Sequence, residues 1–175
     1  MTVEGFRKLP EDTGPVYHEL RHGELVSVTR PKYRHYTIQR RIRHLLEEFV
    51  PPGGLVDTEF AYRPLPEHEL RVADVAYVCA EREQTINPED NLHGAPDIAI
   101  EVLSPSNMAA ELYDKEKLCL ENGSREFWVV DMKYREVEVS TPDGHTVTFK
   151  SGQSIPLFFA PGAAISVDDL FQGRR

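Results

Sequence analysis

Cysteine is scarce in this chain. Cys79 and Cys119 are the two present, one in a strand-like run and one in a helix-like run. That excludes a disulfide framework and a cysteine-built zinc site. No apolar run approaches the ~18 residues of a membrane helix. Met1 to Pro10 lacks the apolar centre of a secretory signal. A reducing, cytoplasmic setting without a membrane partner is therefore expected. An overall basic excess is also missing. The net charge of −9 and a pI near 5.3 argue against a protein that coats nucleic acid non-specifically. The seven histidines show no paired zinc spacing and read as surface or turn residues, with His35 the one to watch.

What remains suffices for one globular domain over 1–175, with its core from about 17 to 171. Arg34, Arg40, Arg41 and Arg43 lie in a stretch, 30 to 44, that holds no acidic residue. Such a run is either a solvated helix face or a patch for phosphates. Within it Ile38, Ile42, Leu45, Leu46 and Phe49 recur at helical spacing, and Pro51-Pro52-Gly53-Gly54 ends the helix. Upstream, Tyr17 to Val28 reads as a helix end, a His-Gly turn and a strand. Leu55–Arg63 and Arg71–Cys79 read as strands, 80–95 as a polar loop, and Asp97–Leu103 as a central strand covered on both faces. A helix capped by Ser106 or Asn107 and closed by Gly123 follows. A hairpin of 126–131 with 136–140 and a strand at 145–150 complete an α/β (α+β) arrangement, a mixed sheet flanked by helices.

The most informative stretch is Pro96-Asp97-Ile98-Ala99-Ile100-Glu101-Val102-Leu103-Ser104-Pro105-Ser106. A carboxylate inside a buried strand costs several kcal/mol unless a cation or donors compensate it. Asp97 shares a face with Glu101 but lies about 13 Å away along the strand, so it suits a strand-entry or accessory role. Asp74, in Val72-Ala73-Asp74-Val75-Ala76, is a better partner if its strand pairs with that of Glu101. Two carboxylates on neighbouring strands, with the Val102 carbonyl as a third oxygen, suit a hard cation, Mg²⁺ or Mn²⁺. On the following helix Lys115 and Lys117 both fall near the apolar arc. One of them directed at the sheet would offset charge on a phosphate, whereas a solvated or paired lysine would not.

Taken together, Gly23-Glu24-Leu25, His35, the Asp74 strand, the Glu101 strand with its Ser-Pro-Ser end, Lys115, Gly123 and Glu126-Phe127-Trp128-Val129-Val130-Asp131 resemble the Uma-two family. These are restriction-endonuclease-like nucleases of the PD-(D/E)XK superfamily. The resemblance implies a restriction-endonuclease-like core and metal-dependent phosphodiester hydrolysis. Asp74 matches the first acidic position, Glu101 the second and Lys115 the helix-borne lysine, with Glu24 and His35 as accessory positions. Ala73 replaces a usual proline, Leu103 stands where the wider superfamily has its lysine, and Cys119 stands where relatives carry tyrosine. The expected activity is an Mg²⁺-dependent endonuclease acting on DNA, with Arg34, Arg40, Arg41 and Arg43 approaching the backbone. The alternative is a non-catalytic module of the same fold for nucleic-acid binding or oligomerisation. A homodimer is plausible from the family, and Pro156-Leu157-Phe158-Phe159 offers either its surface or ordinary core.

Overall fold

The computed structural model describes residues 1–105 and 108–172. In chain order the elements are α1 (Val3–Phe6), β1 (Val16–Arg21), β2 (Glu24–Thr29), α2 (Tyr33–Glu47), β3 (Leu55–Arg63), β4 (Arg71–Val78), α3 (Ala80–Glu83) and β5 (Leu92–His93). They continue with β6 (Ile98–Val102), α4 (Ala109–Glu121), β7 (Glu126–Asp131), β8 (Glu136–Ser140), β9 (Thr146–Phe149), β10 (Ser154–Pro156), β11 (Ala164–Ser166) and α5 (Val167–Phe171). Seven strands form a mixed sheet in the order β5-β3-β4-β6-β7-β8-β9, with β6 at its centre. β6 runs antiparallel to β4 and parallel to β7. The parallel step follows from α4, whose crossover returns the chain to the same edge.

Alternation along β6 divides two cores. Ile98, Ile100 and Val102 pack with Ile38, Ile42, Leu45 and Leu46 of α2 and with Leu170 of α5. Ala99 faces the other side with Ala76, Phe127 and Cys119 of α4. Every residue of β6 is buried, Glu101 included, as expected of a strand covered on both faces.

Two expectations change, and of two readings offered for a third segment the structure favours one. Tyr17–Arg21 is a strand rather than a helix end. It pairs with β2 around the turn at His22-Gly23, where both residues take positive φ, and an isolated bridge joins Leu20 to Leu70. The 80–95 segment is not a simple loop, since it contains α3 and β5. Leu157-Phe158-Phe159 packs with the core, leaving Pro156 exposed: Leu157 is buried and Phe159 stacks on Tyr77 with ring centroids 4.1 Å apart. α4 begins after Met108; Ser106 and Asn107 lie outside the described residues. No described helix is long and apolar enough to cross a membrane.

Candidate active site

The site forms where β4 and β6 part. Their ladder ends at Val75 opposite Ile100, and continuing the register brings Asp74 opposite Glu101. Beyond that point the Val102 amide donates to Asp74 Oδ2 at 2.7 Å, so a carboxylate replaces the backbone acceptor. On the other side of β4, Thr58 pairs with Val75 and Phe60 with Ala73, which puts Glu59 opposite Asp74. Three neighbouring strands thus bring one carboxylate each to the same level.

Two helices supply the counter-groups. Lys115 of α4 is buried, its Nζ 2.7 Å from Glu101 Oε1 and donating to the Val72 carbonyl at 2.6 Å. Apart from that ammonium, no hydrogen-bond donor among the described residues serves the buried Glu101 Oε1. From α2, His35 Nε2 donates to the Val102 carbonyl at 2.7 Å and lies 3.3 Å from Asp74 Oδ2. One helical turn on, Gln39 Nε2 donates to both Asp74 Oδ1 (2.8 Å) and Glu59 Oε1 (2.6 Å). Glu19 of β1, buried beside this cluster, accepts from the Val72 amide and pairs with Arg21.

Electrostatics follow from this crowding. Burial pushes the Glu101 carboxyl well above its ordinary value; Lys115 pulls it back and Asp74 adds to the rise. Burial raises Glu59 as well, opposed by the Gln39 amide. Burial works against the Lys115 charge, but Glu101, Glu19 and Asp74 outweigh it and hold the ammonium protonated. His35 is raised too: burial disfavours its charged ring, yet Asp74 and the Val102 carbonyl prevail.

Other residues named from the sequence sit elsewhere. Asp97 accepts from the Cys79 amide at 2.9 Å and pairs with Arg82 at 3.3 Å, a brace at the strand entry. Lys117 is 59% exposed and lies 3.9 Å from Glu121. Glu24 is exposed on β2, and the buried carboxylate of that hairpin is Glu19. On α2, Arg43 is paired with Glu47 and Asp57, whereas Arg40 lies over the Tyr36 ring. Arg34 is exposed and Arg41 donates to the Leu170 carbonyl. Sequence reasoning missed Glu59, Gln39 and Glu19. Gln39 left one usable signal, its i+4 spacing from His35 on the same helix face.

A divalent cation has chemically suitable donors in Asp74, Glu101 and the Val102 carbonyl. They are all oxygens, and the carboxylates Glu59, Asp74 and Glu101 outnumber the cations Lys115 and His35. Among the described residues no three His, Cys, Asp or Glu side chains form a group that could hold a metal ion, so any cation here would rest on the two carboxylates and backbone oxygen.

A family model described as "putative restriction endonuclease", Uma2, matches residues 3–173. The chain belongs to the Uma2 family. Its fold is similar to the crystal structure of a "putative nuclease belonging to DUF820" from Anabaena variabilis. The two share 25% identity with a TM-score of 0.81, over 98% of this chain and 97% of the other. No curated protein matches the chain.

Proposed function

We propose that this protein is a metal-dependent nuclease hydrolysing phosphodiester bonds in DNA, with Asp74 and Glu101 holding Mg²⁺ or Mn²⁺ and Lys115 serving the same phosphate. The observation that carries this reading is the Lys115–Glu101 pair at the parting of β4 and β6, where the register sets Asp74 opposite Glu101 and its carboxylate accepts from the Val102 amide. The Uma2 membership and the similar nuclease structure support it.

Held by Asp74 and Glu101, a divalent cation would supply the acidification of a water and charge stabilisation for the phosphate. The Val102 carbonyl offers it a third oxygen once His35 gives up its hydrogen bond there. In the metal-free protein Glu101, Glu19 and Asp74 favour the protonated form of Lys115. Its ammonium stabilises the charge that develops on the phosphate oxygens. Gln39 keeps Asp74 and Glu59 from repelling one another out of place.

Supercoiled plasmid and single-stranded DNA and RNA, incubated at low salt with Mg²⁺ or Mn²⁺, test the reading against Glu101→Gln. Metal-dependent nicking that disappears in the variant is expected. Absence of cleavage, with a melting temperature unmoved by metal, would leave a nuclease-fold binding module instead.

A further inference from the structure

A groove of about 350 Å³ opens between the outer side of α2, α5 and the turn joining β7 to β8. Arg34 and Arg41 line it from α2, Arg135 from the turn, and Tyr33 stands at its lip 83% exposed. Phe171 forms part of the floor, with the Arg135 guanidinium 5.8 Å from its ring centroid. Arg34 and Arg41 are seven residues apart, about 10 Å along the helix axis. Among the described residues, none of the three arginines makes an ion pair. The neighbouring Asp168 carboxylate is engaged by Ser151 Oγ and the Gly152 amide. In a chain of net charge −9, three converging unpaired guanidinium groups are a local departure that favours a polyanion.

Tyr33 and Arg34 of the groove immediately precede His35 in α2, and His35 touches both Asp74 and the Val102 carbonyl. We propose that it binds an unpaired nucleic-acid strand extending from the scissile bond, with phosphates on Arg34, Arg41 and Arg135 and a base stacked on Tyr33. The placement of the scissile bond rests on the nuclease reading; the groove's own chemistry does not. Guanidinium groups grip phosphate oxygens through paired donors. The exposed phenol decides between strand types, because a base offers its face only when it has left a duplex. Arg135 holds a left-handed backbone, φ +56°, at the turn that aims it toward α2, a conformation uncommon for a residue other than glycine.

Fluorescence anisotropy with a labelled oligothymidylate of about a dozen nucleotides, and with a blunt duplex of the same length, tests this in chelator, where cleavage is blocked. Wild type is expected to prefer the single strand. Arg34→Gln combined with Arg135→Gln should weaken that binding roughly tenfold and flatten its salt dependence. Tyr33→Ala should weaken it at least about fivefold while leaving duplex binding unchanged. Lys117→Gln, a charge change on the exposed side of α4, should bind like wild type. All of these positions are exposed, so folding is preserved and circular dichroism checks it.

Wild-type affinity in the arginine variant would overturn the proposal. Loss of duplex and single-strand binding alike, with no effect of Tyr33→Ala, would overturn the stacked base and the single-strand assignment. If Glu101→Gln and wild type both fail to cleave any substrate while the binding pattern holds, the groove stands and the nuclease reading falls.

Discussion

Lys115 and Glu101 form a buried ion pair, Nζ to Oε1 2.7 Å, that ties α4 to the central strand. The same ammonium donates to the Val72 carbonyl, so one side chain links α4 to both β6 and β4 at the point where those strands separate. Pairing two charges away from water seldom adds net stability, because each loses its hydration. Stability alone therefore does not account for this pair, which is in keeping with the proposed metal site.

Removing one member should reveal what that lost hydration costs. Lys115→Met leaves Glu101 buried beside Asp74 without its cation, and a loss of about 3–5 kcal/mol is expected. The double variant Lys115→Met with Glu101→Gln should recover much of it, since neither charge remains. Urea denaturation of the wild type, both single variants and the double forms a cycle that measures the coupling. A double variant no more stable than Lys115→Met would contradict the pairing.

The pH dependence of the metal-free protein should have one sign across the neutral range. Glu101, Glu59 and His35 all titrate higher in the folded protein than in the unfolded chain. The folded state then binds more protons, and stability falls as pH climbs through each group's interval. The fall starts near ~4.3 for the glutamates and near ~6.5 for His35. Carboxylates held low by their partners, such as Asp90 and Asp114, act in the opposite sense, but their contribution is complete above the ordinary carboxylate range. The melting temperature in chelator should drop between about pH 5 and 8. Saturating Mg²⁺ should flatten the decline by favouring ionised Glu101. A melting temperature rising with pH in chelator would refute this account.

The parts legible in the sequence were those set by local pattern. Ile38, Ile42, Leu45 and Leu46 at helical spacing mark α2, and the near-continuous apolar run around Glu101 marks β6 as buried on both faces. What stayed hidden depends on register and packing. Glu59 reads as one more polar position in a half-exposed strand until pairing sets it opposite Asp74. Lys115 and Lys117 are nearly equivalent on a helical wheel. The tertiary rotation of α4 separates them, 10% against 59% side-chain exposure. β1 was obscured because its two buried residues, Glu19 and Leu20, are adjacent and one is charged. Its partners, Arg21 and the Val72 amide, appear only in the folded chain.

Asp97 should prove separable from the chemistry. Its carboxylate satisfies the Cys79 amide and faces Arg82, so Asp97→Ala orphans a buried donor at a cost of about 1–3 kcal/mol. Metal-dependent cleavage measured well below the new melting temperature should nevertheless persist, whereas Asp74→Ala should abolish it. Loss of cleavage in a folded Asp97→Ala protein would return Asp97 to the metal site.

Glu59 offers the sharpest contrast between stability and function. It takes φ +52° within a strand, a conformation costing a non-glycine residue about 1–2 kcal/mol, and it does so where its carboxylate meets Gln39 opposite Asp74. Glu59→Ala and Glu59→Gly both remove the carboxylate, but only glycine also relieves the backbone. Glycine should be the more stable of the two by about 1 kcal/mol, the reverse of the order expected in an ordinary strand. Both should need more Mg²⁺ for half-maximal cleavage, because Gln39 loses one of the two carboxylates it holds and Asp74 is less well fixed. Urea titrations give the first comparison and metal titrations of cleavage the second. Alanine matching or exceeding glycine in stability would show that the left-handed backbone at Glu59 carries no strain. Unchanged metal dependence would remove Glu59 from the site.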